Sequence, residues 1–367
     1  MTWNWQLPDW PQFSYDKAVL ASLEQKFLLK SSFLSGIYHH INDTDKTTLI
    51  VDLISDEAYK TSEIEGEYLN RDSLRSSIRR YFGLLTDKRK IPPAEQGIAE
   101  MMVNLYQSYA TPLTEFALCD WHLMLTSMRR DLQNVGRYRT QEDEMQVVSG
   151  SFHKPKVHFE APPSKIVPNE MEKFITWFNE NEKTLPALVR AGIAHLYFVC
   201  IHPFEDGNGR IARALAEKAL SQALGYPTLI ALSHTIQKNK KAYYAALEHA
   251  NKSNEITDWL IYFANTILDA QPYTQQVIEF LIEKTKLYDR IKNQINSRQE
   301  KVIARLFEEG LEGFEGGLSA ENYIRIADTS RATATRDLQD LVEKGVLLRR
   351  GELKSTRYVL NIPALNK

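Results

Sequence analysis

The chain has 367 residues, 43% hydrophobic and 25% charged, enough apolar material for two or three soluble domains and too much for a disordered chain. Its 45 Lys and Arg against 47 Asp and Glu leave a net charge of −2, which excludes attraction of the whole molecule to nucleic acid or anionic membrane. Any nucleic-acid contact has to be local. No run of about 18 apolar residues occurs, so no membrane-spanning helix is expected. The opening MTWNWQLPDWPQF lacks the basic and apolar regions of an ordinary signal peptide. Cys119 and Cys200 lie in apolar helical contexts without metal-ligand spacing, the pattern of buried free thiols in a reducing cytosol, so a cytoplasmic location is expected.

From Ser14 to about Leu85 apolar residues recur every three or four positions: Leu20, Leu23, Phe27 and Leu28, then Phe33, Leu34, Ile37 and Tyr38, then Leu49, Ile50, Leu53, Ile54 and Ala58. This reads as a small helical domain, residues 1–90, whose third helix runs into Thr61-Ser62-Glu63-Ile64-Glu65-Gly66. A further helix passes through Leu74 and Ile78 to Gly83. Lys88, Arg89 and Lys90, with Pro92-Pro93 behind them, read as a linker or exposed loop.

Residues 91–275 form the expected central domain, mainly helical, with helices near Ile98–Tyr109, Glu115–Met128 and Met171–Glu180. One segment breaks that pattern. After Gly136-Arg137-Tyr138-Arg139, the β-like stretches holding Val147, Val148 and Val157 flank Ser149-Gly150-Ser151 and suggest a hairpin lying on the helical body. Ala187–Ile201 is apolar on nearly every side, as in a helix at a domain centre. Pro203 stops it, and Asp206-Gly207-Asn208-Gly209 opens a second helix, Arg210–Leu224, closed by Gly225 and Pro227.

Residues 276–367 change character. A long helical pattern reaches Ile295. Helices over Arg298–Glu309, Ser319–Ile326 and Ser330–Lys344 are followed by strand-like Val346–Arg350 and Arg357–Leu360 around Gly351. Three helices and a hairpin suit a winged helix-turn-helix. Eight Lys and Arg stand against four Asp and Glu from Ser330 to Lys367, a modest local surplus compatible with DNA or with a protein partner. The fold class expected for the whole is therefore mainly α, with one hairpin in the central domain and a winged helix at the end.

The loop His202-Pro203-Phe204-Glu205-Asp206-Gly207-Asn208-Gly209-Arg210-Ile211-Ala212-Arg213 carries the chemistry. Arg210 and Ile211 occupy the fifth and sixth positions of a calcium loop begun at Asp206, which rules that reading out, and no G-x-x-x-x-G-K-[ST] occurs anywhere. Asp206 offers a hard oxygen suited to Mg²⁺. Gly207 and Gly209 let backbone approach an anion, Asn208 adds a donor, and Arg210 and Arg213 share the positive end of a helix as a phosphate clamp. His202 has the ring to take a proton from an attacking hydroxyl.

HPFEDGNGRIAR resembles the signature of the Fic family, H-P-F-x-[D/E]-G-N-G-R-x-x-R, at every defined position. The resemblance implies a mostly helical fold and transfer of AMP from ATP to a Ser, Thr or Tyr hydroxyl of a target protein, with release of pyrophosphate. On it, His202 is the general base and Asp206 holds Mg²⁺. Gly207, Asn208 and Gly209 cradle the α- and β-phosphates, Arg210 and Arg213 orient the β- and γ-phosphates, and Phe204 packs the loop onto the core. It further implies that the hairpin is a flap holding a target segment by strand addition, and that Asn239, Tyr243 and Tyr244 line the nucleoside pocket. For the two tyrosines, ordinary core is the competing reading.

Thr61-Ser62-Glu63-Ile64-Glu65-Gly66 resembles the same family's inhibitory pattern, [S/T]-x-x-x-E-[G/N]. A capping box over Ser62 and Glu65 competes with it, but periodicity up to Tyr59 and a natural C-cap at Gly66 put Glu65 in the last turn of a helix, where a carboxylate needs a cation. By resemblance that cation is Arg213, in a bidentate pair. Thr61–Gly83, with Trp5, Pro8 and Trp10, also resembles N-terminal domains of unassigned function found ahead of Fic domains. The expectation is thus an auto-inhibited protein adenylyltransferase, as a homodimer. A nucleotide-sensing, DNA-binding regulator and an enzyme that also removes AMP stand as alternatives.

Overall fold

The computed structural model describes residues 2–40, 43–84, 86, 89–151, 154–314 and 316–363. Leu85 and Lys88, and the side chains of Phe33, Leu34, Ile37 and Tyr38, lie outside the described residues. Two compact units divide the chain, residues 1–272 and 273–367.

The first unit begins with α1 (Lys17–His40), α2 (Asp43–Ile64), α3 (Arg71–Tyr81), α4 (Pro93–Ser108) and α5 (Glu115–Thr126). One 24-residue helix replaces the two expected between Leu20 and Tyr38, because nothing between those apolar groups breaks a helix. A hairpin of β1 (Gln146–Ser151) and β2 (Lys154–Glu160) precedes α6 (Val167–Glu180), α7 (Ala187–Ile201), α8 (Asn208–Leu224), α9 (Leu232–Lys238), α10 (Lys240–Ala250) and α11 (Thr257–Ile291). The last carries Pro272 inside it, so Trp259 and the pattern beyond Thr274 share one helix.

α7 is the axis of the first unit. Fourteen of its fifteen residues are buried, Arg190 and His195 among them. Arg190 lies over the Phe178 ring and donates to the Phe178 carbonyl and to Gln222, so its charge enters the core with partners. At Gly192 a Cβ would stand 2.6 Å from Leu260, and the backbone carbonyl there accepts from the Trp259 indole. Glycine is what lets α11 close on α7. α8 folds back along α7 and ends at Gly225, with φ 77°. α2 is pinned from the other side: both oxygens of the Glu57 carboxylate accept from the Ser233 backbone N–H at the start of α9.

The hairpin is antiparallel, with Val147 opposite Phe159, Val148 opposite Val157, and a bulge between Val147 and Val148. Its base is tied down by the N-terminal aromatics. Trp5 donates to the Glu160 carbonyl at 2.7 Å, and Trp3 meets the Phe159 ring edge-on. A two-stranded ribbon that is marginal alone gains its support there.

The second unit contains α12 (Ser297–Glu308), α13 (Ala320–Ala327), α14 (Arg331–Glu343), β3 (Leu347–Arg350) and β4 (Arg357–Leu360). Asn296, Ser319 and Ser330 cap the three helices through their side chains. Leu318 makes both backbone hydrogen bonds to Tyr358, adding a third strand position beside β4. Val302, Ile303, Tyr323, Leu338, Leu341 and Leu347 are among the side chains that fill its core.

Candidate active site

The candidate residues gather where α7 hands the chain to α8. His202 takes a left-handed backbone, φ 51°, which breaks the helix at that residue before Pro203. Its Nδ1 lies 3.2 Å from the Val199 carbonyl oxygen. A carbonyl only accepts, so Nδ1 carries the proton and Nε2 keeps its lone pair. Burial pushes the imidazole pKa down to about 4, outweighing the Val199 carbonyl, which acts the other way. The ring is neutral near pH 7, as a base must be.

The loop is built on buried pairings. Phe204 is fully buried and stacks on His122 with ring centroids 4.2 Å apart. Arg139 holds both sides of Pro203: its Nε donates to the His202 carbonyl at 2.8 Å, and its backbone N–H donates to the Pro203 carbonyl at 2.9 Å. The Arg139 guanidinium also reaches the Pro162 carbonyl, joining the loop to the segment that follows the hairpin. Glu205 accepts from the backbone N–H groups of Gln133 and Asn134 and from the Asn134 amide.

Asn208 corrects an expectation. Its amide donates to the Phe204 carbonyl at 2.7 Å and accepts from the Phe204 N–H at 3.0 Å. The side chain is thus committed to shaping the loop rather than to an incoming anion. What remains for an anion is backbone. The first intrahelical bond of α8 runs from Ile211 N–H to the Gly207 carbonyl, so the N–H groups of Asn208, Gly209 and Arg210 have no helical acceptor.

Asp206 stands beside that helix start, one-third exposed. One carboxylate oxygen accepts from the Gly207 N–H at 2.5 Å and lies 3.4 Å from Arg210; the other is 2.5 Å from Arg129. Burial works against its ionisation, but Arg210, the Gly207 N–H and Arg129 together hold its pKa below the ordinary value. An ionised oxygen donor is of the kind that suits a magnesium ion, which takes one or two carboxylates and leaves further positions to phosphate oxygens, and the ion would have to displace Arg129 from it.

The segment after α2 closes over the loop. α2 ends at Ile64, one residue earlier than expected, and Glu65 sits in the cap turn. Gly66 N–H donates to the Glu63 carbonyl and Glu67 N–H to the Ser62 carbonyl, with Gly66 at φ 83°, a Schellman cap. Ser62 lies inside the helix end, so the capping-box reading falls. Arg213 is 2% exposed and donates through Nη2 to Glu65 at 2.7 Å and to the Thr61 carbonyl at 3.0 Å, and through Nε to the Thr61 hydroxyl at 2.7 Å. The expected bidentate pair is therefore a single carboxylate contact, because Thr61 takes the other edge of the guanidinium. Nη1 has no partner. A Cβ on Gly209 would stand 2.2 Å from a Glu65 oxygen, so the carboxylate rests directly on the backbone of the glycine loop.

Arg210 is held in the same way: its Nη1 donates to Glu67 at 2.6 Å. Both arginines of the expected phosphate clamp are thus occupied by carboxylates two residues apart in one turn.

A cleft of about 640 Å³ opens beside His202, lined among others by Glu65, Val147, Val148, Gly209 and Tyr244. Tyr243 lines it too, but is 1% exposed and bonds its hydroxyl to His195, so it acts chiefly as wall and core. Tyr244 is 40% exposed. Asn239, exposed at the junction of α9 and α10, and Val157, half-buried on the hairpin, are not part of the lining. From β2, His158 enters instead, its ring bridging Ser149 and Glu248 at 2.6 and 2.7 Å.

Sequence reasoning missed Glu67, Arg129, Arg139 and the His158–Glu248 pair. Only Arg139 carried a signal, since it stands in the Gly136–Arg139 stretch already singled out.

A Fic/DOC family model matches residues 112–220, and a domain of unknown function, DUF4172, matches residues 3–84. A probable protein adenylyltransferase of Aquifex aeolicus is 26% identical over 185 residues, 46% of this chain and 50% of that protein. Protein adenylyltransferase Fic of Drosophila melanogaster is 41% identical over 86 residues, 23% of this chain and 16% of that protein. The matched stretch therefore spans half of the first relative's length and less of the second. Among solved structures, a Fic family protein from Desulfovibrio desulfuricans G20 shares the fold with a TM-score of 0.54 at 20% identity, over 95% of this chain and 98% of that one. With the loop and the helices around it in the arrangement described, the chain carries a domain of the Fic/DOC family.

Proposed function

We propose that this protein is an auto-inhibited adenylyltransferase that moves AMP from ATP to a hydroxyl of a target protein. The observation that carries the reading is the Glu65–Arg213 contact of 2.7 Å laid over Gly209, inside a loop that otherwise has its base and its anion-binding backbone ready.

In the active state the triphosphate lies along the N–H groups at the start of α8, with Arg210 and Arg213 released to its outer phosphates. The target hydroxyl enters beside the hairpin. The neutral Nε2 of His202 takes its proton as the oxygen attacks the α-phosphorus. The new P–O ester bond forms while the bond to the bridging oxygen breaks, and pyrophosphate departs with that electron pair. Proton removal at this nitrogen needs no prior deprotonation of the ring, because the imidazole is already neutral near pH 7. Mg²⁺, held through Asp206, supplies charge neutralisation for the phosphates when bound.

In the resting state Glu65 occupies the space over Gly209 and engages Arg213, while Glu67 engages Arg210. A carboxylate in that place opposes a phosphate by volume and by charge together.

The test is incorporation of label from α-labelled ATP into the protein itself or into lysate proteins. Glu65→Gly is expected to raise labelling well above wild type, and adding His202→Ala to it abolishes labelling while nucleotide binding persists. Equal or lower labelling in Glu65→Gly would overturn the brake. Labelling that survives loss of His202 would overturn the base.

A further inference from the structure

We infer that residues 297–363 form a face for duplex DNA, reading it through α14 and flanking it with the β3–β4 turn. The inference is independent of adenylyl transfer.

The element order of this unit, α12, a strand position at Leu318, α13, α14, β3 and β4, is that of a winged helix-turn-helix, in which the third helix enters a groove. α14 is amphipathic in a telling way. Ala334, Leu338 and Leu341 face the core, and the exposed side presents Arg331, Thr335, Arg336 and Gln339. Those are side chains that hydrogen-bond base edges and phosphates, with no large apolar residue among them. A protein-docking helix would carry an apolar anchor there.

The charges are sorted by direction. Asp337, within α14, is turned inward and accepts from Arg298, Tyr323 and Asn296. Asp340 is taken by Lys344 and Gln299. Two of the three helix acids are thereby taken by partners within the unit, leaving Glu343 exposed at the C-terminal end of the helix, and Arg331, Arg336 and Arg349 have no carboxylate partner among the described residues. Arg349 and Arg350 lie on β3, ahead of the turn. Leu353, at its tip, is 90% exposed with φ 48°. An apolar residue held out between arginines matches the wedges that proteins insert at the minor groove. Glu321, Glu343 and Glu352 are opposing charges on this side, against Arg331, Arg336, Arg349 and Arg350. A groove of about 640 Å³ runs between α14 and the strands, with Arg331, Gln339, Arg349 and Thr356 on its walls. The A-form major groove of RNA is too narrow for a helix, so the partner is B-form DNA.

The full chain is titrated against a fluorescent mixed-sequence duplex by anisotropy, from about 50 to 200 mM salt. Binding that weakens steeply with salt is expected. The triple variant Arg331→Ala, Arg336→Ala, Arg349→Ala should bind about tenfold or more weakly and flatten the salt slope by about 0.9 for each phosphate it no longer neutralises. These positions are exposed, so an unchanged thermal melt verifies folding. Selection from a randomised duplex pool should enrich a sequence for the wild type and none for Gln339→Ala with Arg336→Ala. No salt-dependent binding, or equal binding by the triple variant, overturns the inference. So does a protein captured through these three arginines while duplex is ignored.

Discussion

Arg129 stands where a cation has to arrive. Its Nη1 lies 2.5 Å from an Asp206 oxygen while the same guanidinium grips Asp131 at 2.8 and 2.7 Å, so Asp131 keeps it parked beside the loop. If Mg²⁺ reaches Asp206 by displacing Arg129, the ion pair is a standing competitor. Its worth follows from exposure. With side chains 43% and 33% exposed, the pair belongs with surface ion pairs of about 0.2–1 kcal/mol. Removing it in Arg129→Ala should therefore tighten metal binding by roughly 1.4- to 5-fold, at 0.59 kcal/mol per e-fold. Arg129→Lys keeps the charge and should lie near wild type. The assay is titration of Mn²⁺ by electron paramagnetic resonance in the presence of a non-cleavable ATP analogue, in a Glu65→Gly background so that nucleotide can enter. The gain should shrink at high salt, which screens an exposed pair. Unchanged or weaker metal affinity in Arg129→Ala would refute the competition.

Glu67→Gln should release Arg210 while leaving Glu65 in place, giving labelling above wild type and below Glu65→Gly; labelling equal to wild type would leave Glu67 outside the brake. Asn208→Ala strands the Phe204 N–H and carbonyl in a buried loop and should lower stability by about 2–4 kcal/mol in denaturant melts. A loss under 1 kcal/mol would mean that water replaces the amide. For pH, the depressed His202 pKa has a definite sign. The ring stays neutral until pH falls through about 4, so labelling by Glu65→Gly should lack the acid limb near 6.5 that an ordinary histidine base imposes, and should decline only at lower pH.

The central loop was legible because its groups are neighbours in sequence: His202 to Arg213 fit within one turn and one helix start, and spacing alone brings them together. The helix ends were legible for the same reason, through Gly66, Pro203 and Gly225. The partners were not. Glu67 is 143 residues from Arg210, Arg129 is 77 from Asp206, and Arg139 is 63 from His202. Such pairs depend on how α2 and the loop after α5 pack, which no local pattern states. Asn208 misled in the opposite way. As a polar residue in a phosphate-like motif it read as a donor to ligand, whereas a buried amide beside unpaired backbone is drawn to that backbone first. The fused α1 shows the limit of periodicity, which marks faces but not the continuity between them.

If the proposed brake holds, Nη1 of Arg213, which has no hydrogen-bond acceptor among the described residues, gives the resting state a bias of its own. A buried donor without an acceptor costs about 1–3 kcal/mol, and Glu65 with Thr61 leaves that cost in place. A phosphate oxygen has lone pairs to spare for it. The off position is thus shallower than the hydrogen bonds around Arg213 suggest, and a minor fraction of molecules, of the order of 0.1–10% for a gap of a few kcal/mol, would stand open without any signal. Background labelling by the wild type would then be a thermodynamic readout of one nitrogen atom. A substitution that supplied the missing acceptor would make the protein quieter than nature left it.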